Sequence, residues 1–140
     1  MKQSAAEMKA IMDATGLKYM LDESGVAVCS IGGLGPDQDR SQVVFIQNFL
    51  DRAGSFTNRD VFTKIAEASD IPKSFELMWK LLERVGSANA GALFVSGESL
   101  QWRIDVPVSA TGEELNAAIF LCAELADDFE TILTSGKDAY

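Results

Sequence analysis

The stretch Leu100-Gln101-Trp102-Arg103-Ile104-Asp105-Val106-Pro107-Val108 alternates apolar and polar residues with a period of two, the pattern of a β-strand with one buried and one wet face. Such a strand belongs to an antiparallel sheet covered on one side only, so helices are expected to supply the cover. Ala92-Leu93-Phe94-Val95 lies just before it across the turn Ser96-Gly97-Glu98, and the two runs predict a hairpin.

Helical periodicity flanks this hairpin. Ahead of it, Phe75, Met78, Trp79, Leu82 and Val85 fall at i, i+3, i+4, i+7 and i+10, with Leu77 and Leu81 widening the stripe, Pro72 placed in the first turn and Gly86 as the stop. Trp79 and Trp102 both sit on apolar stripes and are read as core. Behind the hairpin, Thr111-Gly112-Glu113-Glu114 has capping-box spacing. It opens a helix with Leu115, Ala118, Ile119, Cys122, Leu125, Ala126, Phe129 and Ile132 on one stripe and Thr134-Ser135-Gly136 at its end.

Towards the N-terminus, Ser4-Ala5-Ala6-Glu7 has the same capping-box spacing, and Met8, Ile11 and Met12 continue it as a helix stopped at Gly16. Leu17 to Glu23 and Val26 to Ile31 then read as short strands joined at Ser24-Gly25. After the loop Gly32-Gly33-Leu34-Gly35-Pro36-Asp37-Gln38-Asp39, a third strand starts at Val43 and runs to about Leu50. It is apolar on both sides: Val43, Phe45 and Phe49 on one, Val44, Ile46 and Leu50 on the other. One side packs on helices. The other is covered within the monomer or by a partner, and Val44, Ile46 and Leu50 are taken as the partner-facing set. Val61 to Ala68 fits helix or strand by its spacing alone.

The sum is an α+β fold over residues 1–140 as one domain: helix, three-stranded antiparallel meander, helix, β-hairpin, helix, with one mostly antiparallel sheet and helices packed on it. Hydrophobic residues make up 47% and charged residues 24%, ordinary values for a globular chain.

The formal charge is 12 minus 21, or -9, and the acids concentrate at the end. From Ser109 onward there are seven acids against Lys137 alone, a net of -6. That sign repels phosphate backbones and anionic lipid headgroups, so neither nucleic acid nor membrane is an expected partner, and basic or amphipathic polypeptides are. No run approaches the length of a membrane span, and Met1-Lys2-Gln3-Ser4 leads into an alternation of apolar and charged residues, so neither a membrane span nor export by a signal peptide is expected. Cys29 and Cys122 read as small buried hydrophobes, which fits a reducing cytoplasm.

The sequence contains no histidine, which excludes Ser-His-Asp and Cys-His catalysis and histidine metal centres. Gly32-Gly33-Leu34-Gly35 lacks the Lys-Ser/Thr ending of a phosphate loop and reads as a hairpin connection. Asp37 and Asp39 lack the further ligands of a calcium loop. Glu124, Asp127 and Asp128 fall at i, i+3 and i+4 and share a helix face, read as a solvated surface or a docking patch for a basic partner. No catalytic, cofactor or metal site is expected. A small-molecule cavity between sheet and helices, lined by Phe94, Trp102 and Phe129, is the alternative reading.

The element order resembles the fold shared by type III secretion chaperones and the YbjN-like bacterial sensory transduction regulators. The likeness lies in the helix Phe75 to Val85 running through Ser87-Ala88-Asn89 into Leu93-Phe94-Val95, then Val106-Pro107 and a capped acidic helix. It implies an extended segment near Val61 to Ala68, homodimers, and polypeptide binding without catalysis.

Overall fold

A computed structural model describes the backbone of residues 2–50 and 56–138 and the side chains of residues 5–49 and 58–134. In chain order the elements are α1 (Lys2–Thr15), β1 (Met20–Leu21), β2 (Ala27–Leu34), β3 (Arg40–Leu50), β4 (Phe56–Glu67), α2 (Phe75–Gly86), β5 (Ala92–Ser96), β6 (Ser99–Pro107) and α3 (Gly112–Asp138). The strands form one antiparallel sheet in the order β1-β2-β3-β4-β6-β5. The protein is therefore an α+β fold with helices on one sheet, as the alternation of Leu100 to Val108 implies.

Val61 to Ala68 is extended apart from its last residue. It forms most of β4, which sits between β3 and β6 and turns the three-stranded meander into four strands. The glycine-bearing loop is a hairpin turn, with β2 continuing through Gly32 and Gly33 to Leu34 and a register shift between Ile31 and Leu34.

Strand pairing carries one inner row straight across the sheet: Ala27, Ile46, Val61 and Ile104. All four are buried. α3 lies over β2, β3, β4 and β6, and both other helices pack against it. α1 meets its N-terminal end, where Asn116 Nδ2 donates to the Thr15 carbonyl at 2.9 Å. α2 meets its C-terminal half, with the Arg84 guanidinium 5.9 Å from the Phe129 ring centre. Trp102 and Phe129 meet edge to face at 4.7 Å in the middle of this core.

The caps differ from expectation at two of the three helices. Thr111 and Glu114 do form the reciprocal box, Glu114 N donating to Thr111 Oγ1 at 3.2 Å and Thr111 N to the Glu114 carboxylate at 3.3 Å. α1, however, is already helical at Lys2, so Ser4 stands inside it. Glu7 uses its carboxylate on Arg59 and Asn48 of the sheet instead. In α2 the cap is Ser74, whose hydroxyl accepts from Leu77 N at 3.2 Å, and Pro72 lies outside the helix. α3 runs past Thr134-Ser135-Gly136 to Asp138.

Candidate functional site

Two assignments of apolar faces are corrected by the structure. On β3, Val44 and Ile46 point into the core and are fully buried, so they are not available to a partner in this fold. The Leu50 side chain lies outside the described residues. The opposite side, carrying Val43, Phe45 and Phe49, is the open one, with Phe49 54% exposed. The physical reason is register: Phe45 pairs with Phe62, and Phe62 with Arg103, so this side of β3 is continuous with the wet side of β6. On α2, Leu81 is the buried residue, while Phe75, Trp79 and Leu82 are 80%, 55% and 52% exposed. Trp79 is therefore a surface residue, whereas Trp102 is core as expected.

The open sheet face is built from pairing rows. One row runs Val28, Phe45, Phe62, Arg103, Ala92. Phe45 and Phe62 stack with centroids 5.4 Å apart, Phe94 stands edge-on to Phe62 at 6.4 Å, and the Arg103 guanidinium covers the Phe94 ring at 4.7 Å. A neighbouring row aligns Gln47, Asp60 and Asp105. Burial, with the Asp105 carboxyl hydrogen-bonded beside it, pushes the Asp60 carboxyl up to about 6. Arg103, at 3.9 Å from Asp60 and 3.7 Å from Asp105, only partly offsets this.

Phe94 thus lies on the opposite side of the sheet from Trp102 and Phe129, because Leu93 is the residue that pairs with Trp102. The three cannot line one cavity. The small-molecule reading loses its site for that reason.

On the helix side, a cleft of about 760 Å³ opens between the β2–β3 turn and α3, lined by Leu34, Pro36, Arg40, Arg84, Glu124 and Asp127 among others. The three acids of α3 do come together here, but not as a bare acidic patch. Asp127 is buried and takes a bidentate pair from Arg40 at 2.9 and 2.8 Å. Asp128 takes Arg84 at 2.8 Å. Glu124 is exposed at the rim. Two of the three carboxylates are thereby committed to tying the hairpin turn and α2 to α3, which leaves little negative charge to recruit a basic partner. Asp37 and Asp39 are exposed on the turn.

Both thiols are buried, and burial raises Cys29 to about 11 and Cys122 to about 12. They behave as small apolar groups, not nucleophiles. Among the described helices none is long and apolar enough to cross a membrane.

Sequence reasoning missed Phe62 and assigned Trp79 and Leu82 to the wrong side. The available signal for Phe62 was parity relative to Arg103 and Asp105, readable only once β4 is known to be the strand between. No family model matches the chain, and no curated protein is recognisably similar to it in sequence.

Proposed function

We propose that this chain is a non-enzymatic, cytoplasmic polypeptide-binding module, chaperone-like or regulatory, that works as a homodimer in the manner of the secretion-chaperone and YbjN-like families. The observation that carries this reading is the α2 stripe. Phe75 and Trp79 stack at 5.7 Å on the solvent side, and Leu82 extends the same line by one turn. Burying three such side chains in a partner is worth roughly 1.5–3 kcal/mol each, so leaving them in water has a purpose in recognition. Glu76 and Glu83 flank the stripe, and with a formal charge of -9 the molecule as a whole favours a basic amphipathic partner.

A panel of basic amphipathic helical peptides, titrated while tryptophan emission is followed, tests this. Trp79 is exposed and Trp102 buried, so docking on α2 is expected to shift emission to the blue. Replacing Leu82 by Ser should weaken binding about tenfold, the effect of removing roughly 1.4 kcal/mol. Peptides that bind equally well to a Phe75→Ser, Leu82→Ser double variant would remove α2 from the proposal.

A further inference from the structure

The open face of the sheet differs in charge from the rest of the molecule. Between the row of Val43 and Gln101 and the row of Phe49 and Pro107, its charged residues among those described are Asp60, Lys64, Arg103 and Asp105, two of each sign. The chain as a whole carries -9. A basic polypeptide is drawn to the acidic surfaces and finds Lys64 and Arg103 here. A second copy of this chain, repelled elsewhere, meets no net repulsion on this face.

The order of residues along β4 adds a geometric argument. Its outward positions read Asp60, Phe62, Lys64, an acid and a base placed symmetrically about an aromatic. A two-fold axis lying between two such faces, perpendicular to the strand at Phe62, superposes Phe62 on its mate and Asp60 of each copy on Lys64 of the other; Arg103, level with Phe62, meets its own mate, its charge offset by Asp105 at 3.7 Å within each copy. We propose that a second copy of this chain docks face to face on the open side of the sheet, about an axis crossing β4 at Phe62, with Asp60 of each copy against Lys64 of the other. This identifies the interface of the homodimer proposed above and rests on that reading.

Three further observations fit. Phe45, Phe62 and Phe94 form a connected aromatic centre of the kind that dominates stable interfaces, and Val43 and Phe49 extend it on β3. The face spans five strands and seven residues along β3, roughly 24 by 24 Å, or about 600 Å² per copy and about 1,200 Å² for the pair, where specific interfaces begin. Among the described residues Asp60 shares its one nearby cation, Arg103 at 3.9 Å, with Asp105 at 3.7 Å. Lys64 has as its own partner Glu67 at 2.9 Å, an exposed pair that holds it weakly.

Sedimentation velocity at micromolar concentration reads the mass against the 15.1 kDa of one chain. The wild type is expected to be dimeric. Asp60→Lys and Lys64→Asp are each expected to be monomeric, because each sets like charges together twice. An equimolar mixture of the two variants should recover the dimer, since at positions 60 and 64 every acid then meets a base, and this recovery also shows that both variants fold. A monomeric wild type overturns the homodimer and this interface together. A dimer that survives both single changes, or is lost only on Trp79→Ser, overturns this interface and leaves the homodimer standing. Monomeric variants that do not pair on mixing overturn the Asp60–Lys64 register.

Discussion

Glu7 and Arg59 give the sharpest quantitative expectation. Arg59 points from β4 to the helix side with its side chain 2% exposed, and it donates to the Glu7 carboxylate and, at 3.0 Å, to the Val108 carbonyl. Asn48 Nδ2 donates to the other oxygen of Glu7 at 2.6 Å. The Glu7 side chain is one-third exposed, so the two ends of the pair are unequal. Glu7→Met strands a buried guanidinium with a single carbonyl, which costs about 3–5 kcal/mol for a fully buried pair and about 3 kcal/mol here, since water reaches the glutamate side. Arg59→Met leaves a carboxylate that water and Asn48 can serve, at about 1–1.5 kcal/mol. The double variant should be no worse than Arg59→Met alone, because a packed apolar pair replaces the ionic one. For a chain of this length about 1 kcal/mol moves the melting temperature by roughly 3 °C, so the three variants should fall by about 9, 4 and 4 °C or less in thermal melts, and urea titrations should rank them identically. Arg59→Met destabilising more than Glu7→Met, or strictly additive effects, would refute the claim that desolvation of the arginine governs this contact.

Three further outcomes are expected. Asp60 titrates near 6 in the fold against 3.8 in the open chain, so the folded state is favoured below the lower value and loses that advantage as pH rises through the higher one. After solvent screening this is worth about 1 kcal/mol; Asp60→Asn should therefore raise the urea midpoint at about pH 7.5 and leave it unchanged at about pH 3.5, measured at high dilution. Gly112 and Gly86 should respond oppositely to alanine. A Cβ at Gly112 would collide with the Ala14 carbonyl and should cost about 1–3 kcal/mol, whereas Gly86 has nothing within 4 Å and should gain about 0.4–1 kcal/mol in the same melts. Cys29 and Cys122, raised to about 11 and about 12, should resist Ellman's reagent in the native protein at about pH 8 and react only in urea; prompt native labelling would show that β2 or α3 opens far more readily than this core implies.

The elements legible in the sequence were those whose local chemistry is sufficient. Thr111 and Glu114 cap α3 wherever that helix packs, and the alternation from Leu100 to Val108 requires a wet face in any sheet. What stayed hidden depends on tertiary partners. Ser4 and Glu7 have capping-box spacing, yet Arg59, fifty-two residues away, claims the Glu7 carboxylate because a buried guanidinium needs it more than an exposed amide does. The acids of α3 read as a solvated face until Arg40 and Arg84 arrive from a hairpin turn and another helix.

The two sides of β3 show why such a choice cannot be made from one strand. Val43, Phe45 and Phe49 are as apolar as Val44 and Ile46, so hydrophobicity is silent about which side faces α3. The decision comes from the neighbours through register: Phe45 is level with Phe62, Phe62 with Arg103, and a charged residue on β6 marks the side that helices do not cover. β4 carries that information across, and its sequence is the one whose period is ambiguous, with Val61, Thr63 and Ile65 inward and Asp60, Phe62 and Lys64 outward. Read as a strand, it also explains why so apolar a side of β3 remains open. Along β4 an acid and a base flank Phe62 on that open side, the arrangement on which the proposed face-to-face pairing rests.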